Sequence, residues 1–149
     1  LRVGEVAALR FDDILDTNGN VRDEMTLDAA RTKSKRARKI FLPKQMQRQL
    51  KAYVNSLNKQ PQHGYLFSTQ KQAHFSANTA TQHLQRLYAR AGISGATSHS
   101  GRRTWLTTLS QRGVSVFVLA EMAGHRSIQT TQRYVTVNDE MKRNAAELI

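Results

Sequence analysis

The sequence predicts a mostly α-helical α+β domain with one small antiparallel sheet. Three observations carry this. Apolar residues recur at helical spacing, most cleanly at Met46, Leu50, Tyr53, Val54 and Leu57. Only residues 25–27 and 38–42 read as strands, and the cationic run between them reads as a hairpin tip or loop. The chain has 149 residues, 39% hydrophobic with only two prolines, enough for one domain with a real core.

The elements follow in order. Residues 2–14 read as a helix, with Val3, Val6, Leu9 and Ile14 near one face. Asp16, Thr17, Asn18, Gly19 and Asn20 have the composition of a turn. Pro43 opens the helix that carries the stripe from Met46 to Leu57. Residues 58–65, with Pro61 and Gly64, are loop. Ser76 or Asn78 caps a helix that buries Leu84, Leu87 and Tyr88 and stops at Gly92. Another starts near Ser98 and ends at Gly113, with Trp105, Leu106 and Leu109 in its core. Ser115 caps a short helix through Met122, broken at Gly124. Ser127 caps the next, which carries Tyr134, and Asn138 or Asp139 caps a last helix to the C-terminus.

Charge narrows the function. Lys and Arg number 23 against 11 Asp and Glu, a net +12. Such an excess on a small domain points to a polyanion: nucleic acid first, an anionic membrane second. The membrane alternative lacks a basic amphipathic helix with exposed apolar anchors. Zero cysteines exclude disulfides, Cys-ligated zinc and thiolate catalysis. There is no apolar run of bilayer-spanning length and no signal-peptide pattern at the start. These features suit a cytoplasmic protein. The charge is also segregated. Residues 29–120 hold 16 Lys or Arg and no acid, and six of those cations fall within residues 31–39. A solvated surface would mix both signs, whereas DNA phosphates would neutralise one.

Four segments carry chemistry. They are Arg2 with Glu5 one turn on, Thr32-Lys33-Ser34-Lys35 leading to Phe41-Leu42-Pro43, His99-Ser100-Gly101-Arg102, and Gly124-His125. His99 and Arg102 are three apart, so a helix points both the same way. An imidazole and a guanidinium on one face suit one phosphate, the first moving a proton and the second binding oxygens. Tyr134, nine residues after His125, can present its phenol to the same group.

Taken in this order, with His125 placed 26 residues after His99, the segments resemble the catalytic domain of the tyrosine recombinase (phage integrase) family. The resemblance covers nearly the whole chain. It implies the family's fold, mostly helical with a small three-stranded antiparallel sheet. It implies Arg2, Lys33, His99, Arg102, His125 and Tyr134 as catalytic residues, Tyr134 being the nucleophile and Glu5 a support for Arg2. Lys35 competes with Lys33 for the lysine role, and the spacing to Leu42-Pro43 favours Lys33. Arg31, Lys35, Arg36, Arg38 and Lys39 are taken as DNA contacts. Arg103 joins them or is only a solvated charge. Gly101 departs from the bulky aliphatic residue common in the family.

The implied activity is site-specific breakage and rejoining of double-stranded DNA through a 3′-phosphotyrosine, with no metal and no cofactor. Integration or excision of a prophage or other mobile element is the expected setting, in a bacterial cytoplasm and on its nucleoid. The implied partners are DNA, further copies in a synaptic tetramer, and accessory DNA-bending proteins. Alternatives are a type IB topoisomerase-like relaxing enzyme and a catalytically inactive DNA-binding module. The chain opens on Leu1, which reads as a fragment lacking the family's N-terminal core-binding domain. Residues 138–149 form a tail helix whose apolar face, Ala145, Ala146, Leu148 and Ile149, docks on a neighbouring protomer or on its own domain. His63, His74 and His83 lack partners at metal spacing and read as surface residues.

Overall fold

A computed structural model describes every residue except 33–34, 58–62, 71, 136 and 149. The single helix expected over residues 2–14 is two short ones, α1 (Val3–Ala7) and α2 (Phe11–Ile14). Each begins with its own acidic clamp. Glu5 accepts the Arg2 backbone N–H at 2.7 Å, and Asp13 accepts that of Arg10 at 2.7 Å. The break lies at Arg10, which is extended and pairs with Tyr65 in an isolated antiparallel bridge. In the turn that follows, Asp16 Oδ1 accepts the N–H groups of Asn18 and Asn20 at 2.9 and 2.8 Å.

Strands β1 (Glu24–Leu27) and β2 (Arg38–Phe41) pair antiparallel, with Glu24 opposite Phe41 and Leu27 opposite Arg38. A 3-10 turn, Ala29–Arg31, leaves β1. Among the described residues the sheet has two strands, one fewer than the resemblance implies. Outside these strands, the described residues form two isolated antiparallel bridges, Arg10 with Tyr65 and Leu15 with Val21, each too short to make a strand.

The larger core joins Leu9, Phe11, Ile14, Leu15, Met25, Leu27, Val54 and Leu66. Helix α3 (Lys44–Asn55) covers it with Leu50, Tyr53 and Val54, and Leu57 follows just beyond. Met46, expected in that stripe, is 45% exposed because it sits in the first turn, short of the core. Helix α4 (Ala77–Arg90) is capped by Ser76, whose Oγ accepts the Thr79 N–H at 3.0 Å. It packs outside α1 and buries no residue, so Leu87, expected inside, is 43% exposed.

A smaller core joins α5 (Ser100–Gln111) and α6 (Val116–Ala123) through Leu106, Leu119 and Ala123. Trp105, Leu109, Val114 and Tyr134 pack around it. Helix α5 begins at Ser100, not Ser98, with His99 at its cap. Helix α7 (Ile128–Gln132) ends before Tyr134, which lies in the turn that follows. Asn138 caps α8 (Asp139–Ala146) by accepting the Met141 N–H at 2.8 Å. No residue of α8 is buried, Leu148 beyond it is 86% exposed, and Ile149 lies outside the described residues. Among the described residues no helix is long and apolar enough to cross a membrane.

Candidate active site

The site is built around the turn after α6. Gly124 ends that helix in the left-handed region, φ +65°, which glycine adopts without a Cβ clash. Reversal of the chain there presents two adjacent carbonyls. Arg102, in the first turn of α5, donates from Nη2 to the Ala123 carbonyl. Arg2, just before α1, donates from Nη2 to the Gly124 carbonyl at 3.1 Å. Two guanidiniums 100 positions apart in sequence thus meet at one turn.

Glu5 anchors Arg2 from behind. It accepts the Arg2 backbone N–H and, at 3.1 Å, Arg2 Nη1. Its other partner is Arg38 of β2, which donates from Nη1 at 3.2 Å and Nη2 at 2.7 Å. Both members of that pair are buried, Arg38 at 7% exposure. The sequence groups Arg38 with the DNA contacts; the structure instead points it inward, on the strand face it shares with Ile40, where a free charge would be unsolvated. Burial alone would raise the Glu5 carboxyl, but hydrogen bonds from Arg38 and Arg2 reverse this and hold it below its ordinary value.

His125 follows the turn. Its Nδ1 lies 2.7 Å from the hydroxyl of Thr131, which is fully buried on α7. Its ring stacks beside Tyr134, centroids 6.4 Å apart and planes 26° from parallel. Burial, then the charges of Arg102, Arg2 and Arg38, push His125 down to about 4, so it is neutral at neutral pH. Arg102 is also lowered, by burial first and then by Arg2 and Arg38, while Glu5 and Tyr134 act in the opposite sense. The Tyr134 phenol therefore lies within electrostatic reach of Arg102. Three guanidiniums against one carboxylate leave a net +2 beside a half-buried phenol and a neutral imidazole. Such a cluster suits a phosphate that gains negative charge when attacked.

Arg2, Arg102, His125 and Tyr134 are thus brought together. His99 is not: it is exposed at the start of α5, and among the described residues its ring makes no hydrogen bond and no ring stacking. Lys33 lies outside the described residues. Among the cations assigned to DNA, Arg31 pairs with Asp13 at 2.9 Å and Lys39 with Glu24 at 2.7 Å. Lys35, Arg36 and Arg103 are exposed, the last donating to Ser100 Oγ at 3.3 Å. At Gly101 a Cβ would stand 3.4 Å from the Tyr88 hydroxyl, an ordinary contact, so nothing in the structure explains the glycine. His63, His74 and His83 lie on the surface, His63 against Asp12 and the others against Tyr65 and Phe75.

Sequence reasoning placed Arg38 among the DNA contacts rather than beside Glu5, and it missed Thr131. Alternation along β2 could have flagged Arg38, since it shares a face with Ile40 while Lys39 and Phe41 point out. Thr131 gave no signal beyond its place between His125 and Tyr134.

Residues 1–141 match the model of the phage integrase family. The chain is 31% identical over 146 residues to a tyrosine recombinase of Pseudothermotoga lettingae, covering 97% of this chain and 48% of that protein. It is 28% identical over 153 residues to transposase A from transposon Tn554 of Staphylococcus aureus, covering 97% and 42%. The crystal structure of XerA recombinase superposes with a TM-score of 0.74 at 25% identity, covering 99% of this chain and 51% of that one. The Tn1549 transposon integrase, solved with transposon right end DNA, shares the fold with a TM-score of 0.72 at 20% identity, covering 99% and 54%. The chain spans about half the length of these relatives. On the extent of the match and the identity to tyrosine recombinases, the chain belongs to the phage integrase family.

Proposed function

We propose that this chain is the cutting and rejoining part of a site-specific DNA recombinase that works through a 3′-phosphotyrosine on Tyr134. The observation that carries the proposal is the convergence of Arg2, Arg102 and His125 on one turn beside Tyr134. Arg2 and Arg102 clamp the non-bridging oxygens of the scissile phosphate, where negative charge builds. With Nδ1 of His125 taken up by Thr131, Nε2 is left to face the same group. The Tyr134 oxygen bonds to phosphorus as the bond to the 5′-oxygen breaks. The phenol proton passes to His99, and Lys33 protonates the departing oxygen. His99 is exposed in the free chain, so this transfer belongs to the DNA-bound state. Rejoining reverses the steps with a 5′-hydroxyl from another strand, and the stored phosphotyrosine bond makes ATP unnecessary.

The net +12 supports double-stranded DNA as substrate. Relatives named for transposons favour integration and excision of a mobile element as the setting. A synaptic tetramer, with α8 seated on a neighbouring copy, agrees with the absence of any buried residue in α8. A nicked suicide substrate tests the proposal. Wild type should accumulate a covalent protein–DNA adduct, and Tyr134→Phe should form none. Equal behaviour of the two overturns the proposal. Relaxation of supercoiled plasmid that lacks any recombination site would favour the type IB topoisomerase-like activity instead.

A further inference from the structure

Arg38 is the one guanidinium of the cluster that cannot reach solvent. It stands behind the site, on β2, while Arg2 and Arg102 stand at its mouth. Its two Glu5 bonds span 33 positions of sequence and tie β2 to α1. Its guanidinium also lies directly under the left-handed turn. A Cβ at Gly124 would stand 2.9 Å from Arg38 Cζ and closer still to Nη1. The guanidinium end of Arg38 therefore fills the space that a side chain at position 124 would need. Glu5, held from this side, presents its remaining lone pairs to Arg2, and Arg2 in turn grips the Gly124 carbonyl. The contacts close a loop: Arg38 to Glu5, Glu5 to Arg2, Arg2 to Gly124, and Gly124 back onto Arg38.

We propose that Arg38 is a positioning residue that fixes Arg2 through Glu5 and supports the Gly124–His125 turn, and that it makes no contact with DNA. The proposal rests on the recombinase function above and assigns a role within it. A lysine would not serve equally, because one ammonium cannot match the two-pronged contact of a guanidinium with both Glu5 oxygens.

The test uses the full-length protein and separates binding from chemistry. Arg38→Met, Arg38→Lys and the double variant Glu5→Gln/Arg38→Met are compared with Arg36→Ala, an exposed cation on the same run. The double variant leaves no buried carboxylate unpaired and so guards against a simple failure to fold. Folded fractions are matched by circular dichroism. Two quantities are read: the salt slope of DNA binding, and the rate of Tyr134–DNA adduct formation on saturating suicide substrate. Removing a cation that touches a phosphate should reduce the salt slope by about one. We expect Arg36→Ala to do so, and the Arg38 variants to keep the wild-type slope and DNA affinity. The adduct rate should fall about 100-fold in Arg38→Met and in the double variant, with little recovery in Arg38→Lys. A slope reduced by about one in Arg38→Met, or a folded Arg38 variant within threefold of the wild-type rate, overturns the proposal. A wild-type protein that forms no adduct overturns the recombinase function instead, and the slope then decides on Arg38 alone.

Discussion

The two sides of the site are held by different forces. On the N-terminal side, Arg2 and Arg38 converge on one carboxylate, Glu5, and owe their places to it. On the C-terminal side, Arg102 leans on a backbone carbonyl, His125 on a threonine hydroxyl, and Tyr134 on a small apolar core. An arrangement of charges out of water fails when one partner is removed, because the others are left unpaired. An arrangement built on packing and neutral hydrogen bonds loses stability in proportion to the atoms removed. The difference teaches where each side is vulnerable.

The largest expected effect follows from breaking the charged side. Glu5→Ala strands two guanidiniums, one of them buried, and should destabilise the fold by about 3–5 kcal/mol in denaturant titration. A loss below 1 kcal/mol would mean that the cluster is solvated after all. On the packed side, Leu106→Ala removes a fully buried side chain from a core with only three buried members. It should cost about 2–5 kcal/mol, toward the lower end if Trp105 and Leu109 collapse into the space. The comparison sharpens in the adduct assay. If the proposed cleavage holds, folded Leu106→Ala should keep an adduct rate within about tenfold of wild type, whereas Glu5→Ala should lose the placement of Arg2 and with it about 100-fold or more.

The same contrast explains what was legible in the sequence. Arg2, Arg102, His125 and Tyr134, the proposed catalytic groups, are told apart by side-chain type, and their spacing survives as pattern. Their meeting at one turn also follows from a readable feature, the glycine that breaks α6. Arg38 stayed hidden because it sits among six cations in nine positions, and composition cannot tell an inward arginine from an outward one. Its partner lies 33 residues away, and no local rule links them. The split of residues 2–14 into two helices was hidden for a similar reason. It depends on the bridge from Arg10 to Tyr65, a contact between distant segments. Leu87 and Met46 have helical spacing, yet the pattern does not show whether anything packs against them.

A smaller effect separates the neutral side by pH. His125 is pushed down to about 4 from an ordinary 6.5, burial being the main cause. Across that window the unfolded chain binds a proton that the folded chain refuses, so this group makes stability fall as pH drops from 6.5 toward 4. Above 6.5 it exerts no such pull. Glu5, held below its ordinary 4.5, adds a separate loss at lower pH as it protonates. Stability of His125→Gln, followed over the same window, should fall less steeply than wild type. An unchanged slope would show that the imidazole titrates as if in water. Thr131→Val, which removes the hydroxyl beside Nδ1 and keeps the shape, should slow adduct formation by about tenfold, and Thr131→Ser should restore most of it.

The smallest effect tests the charged side against itself. Lys39 follows Arg38 in the same strand and also pairs with a carboxylate at 2.7 Å, that of Glu24. The distances of the two pairs are alike, but the surroundings are not. Lys39 and Glu24 stand in water at the edge of the sheet, whereas Arg38 and Glu5 are enclosed. Water screens the first pair, and holding a long lysine chain in one geometry costs it rotamer freedom. Lys39→Ala should therefore change stability by less than about 1 kcal/mol, and less again at high salt. A cost approaching that of Glu5→Ala would mean that charge pairing itself, and not enclosure, is what makes the N-terminal side of the site brittle.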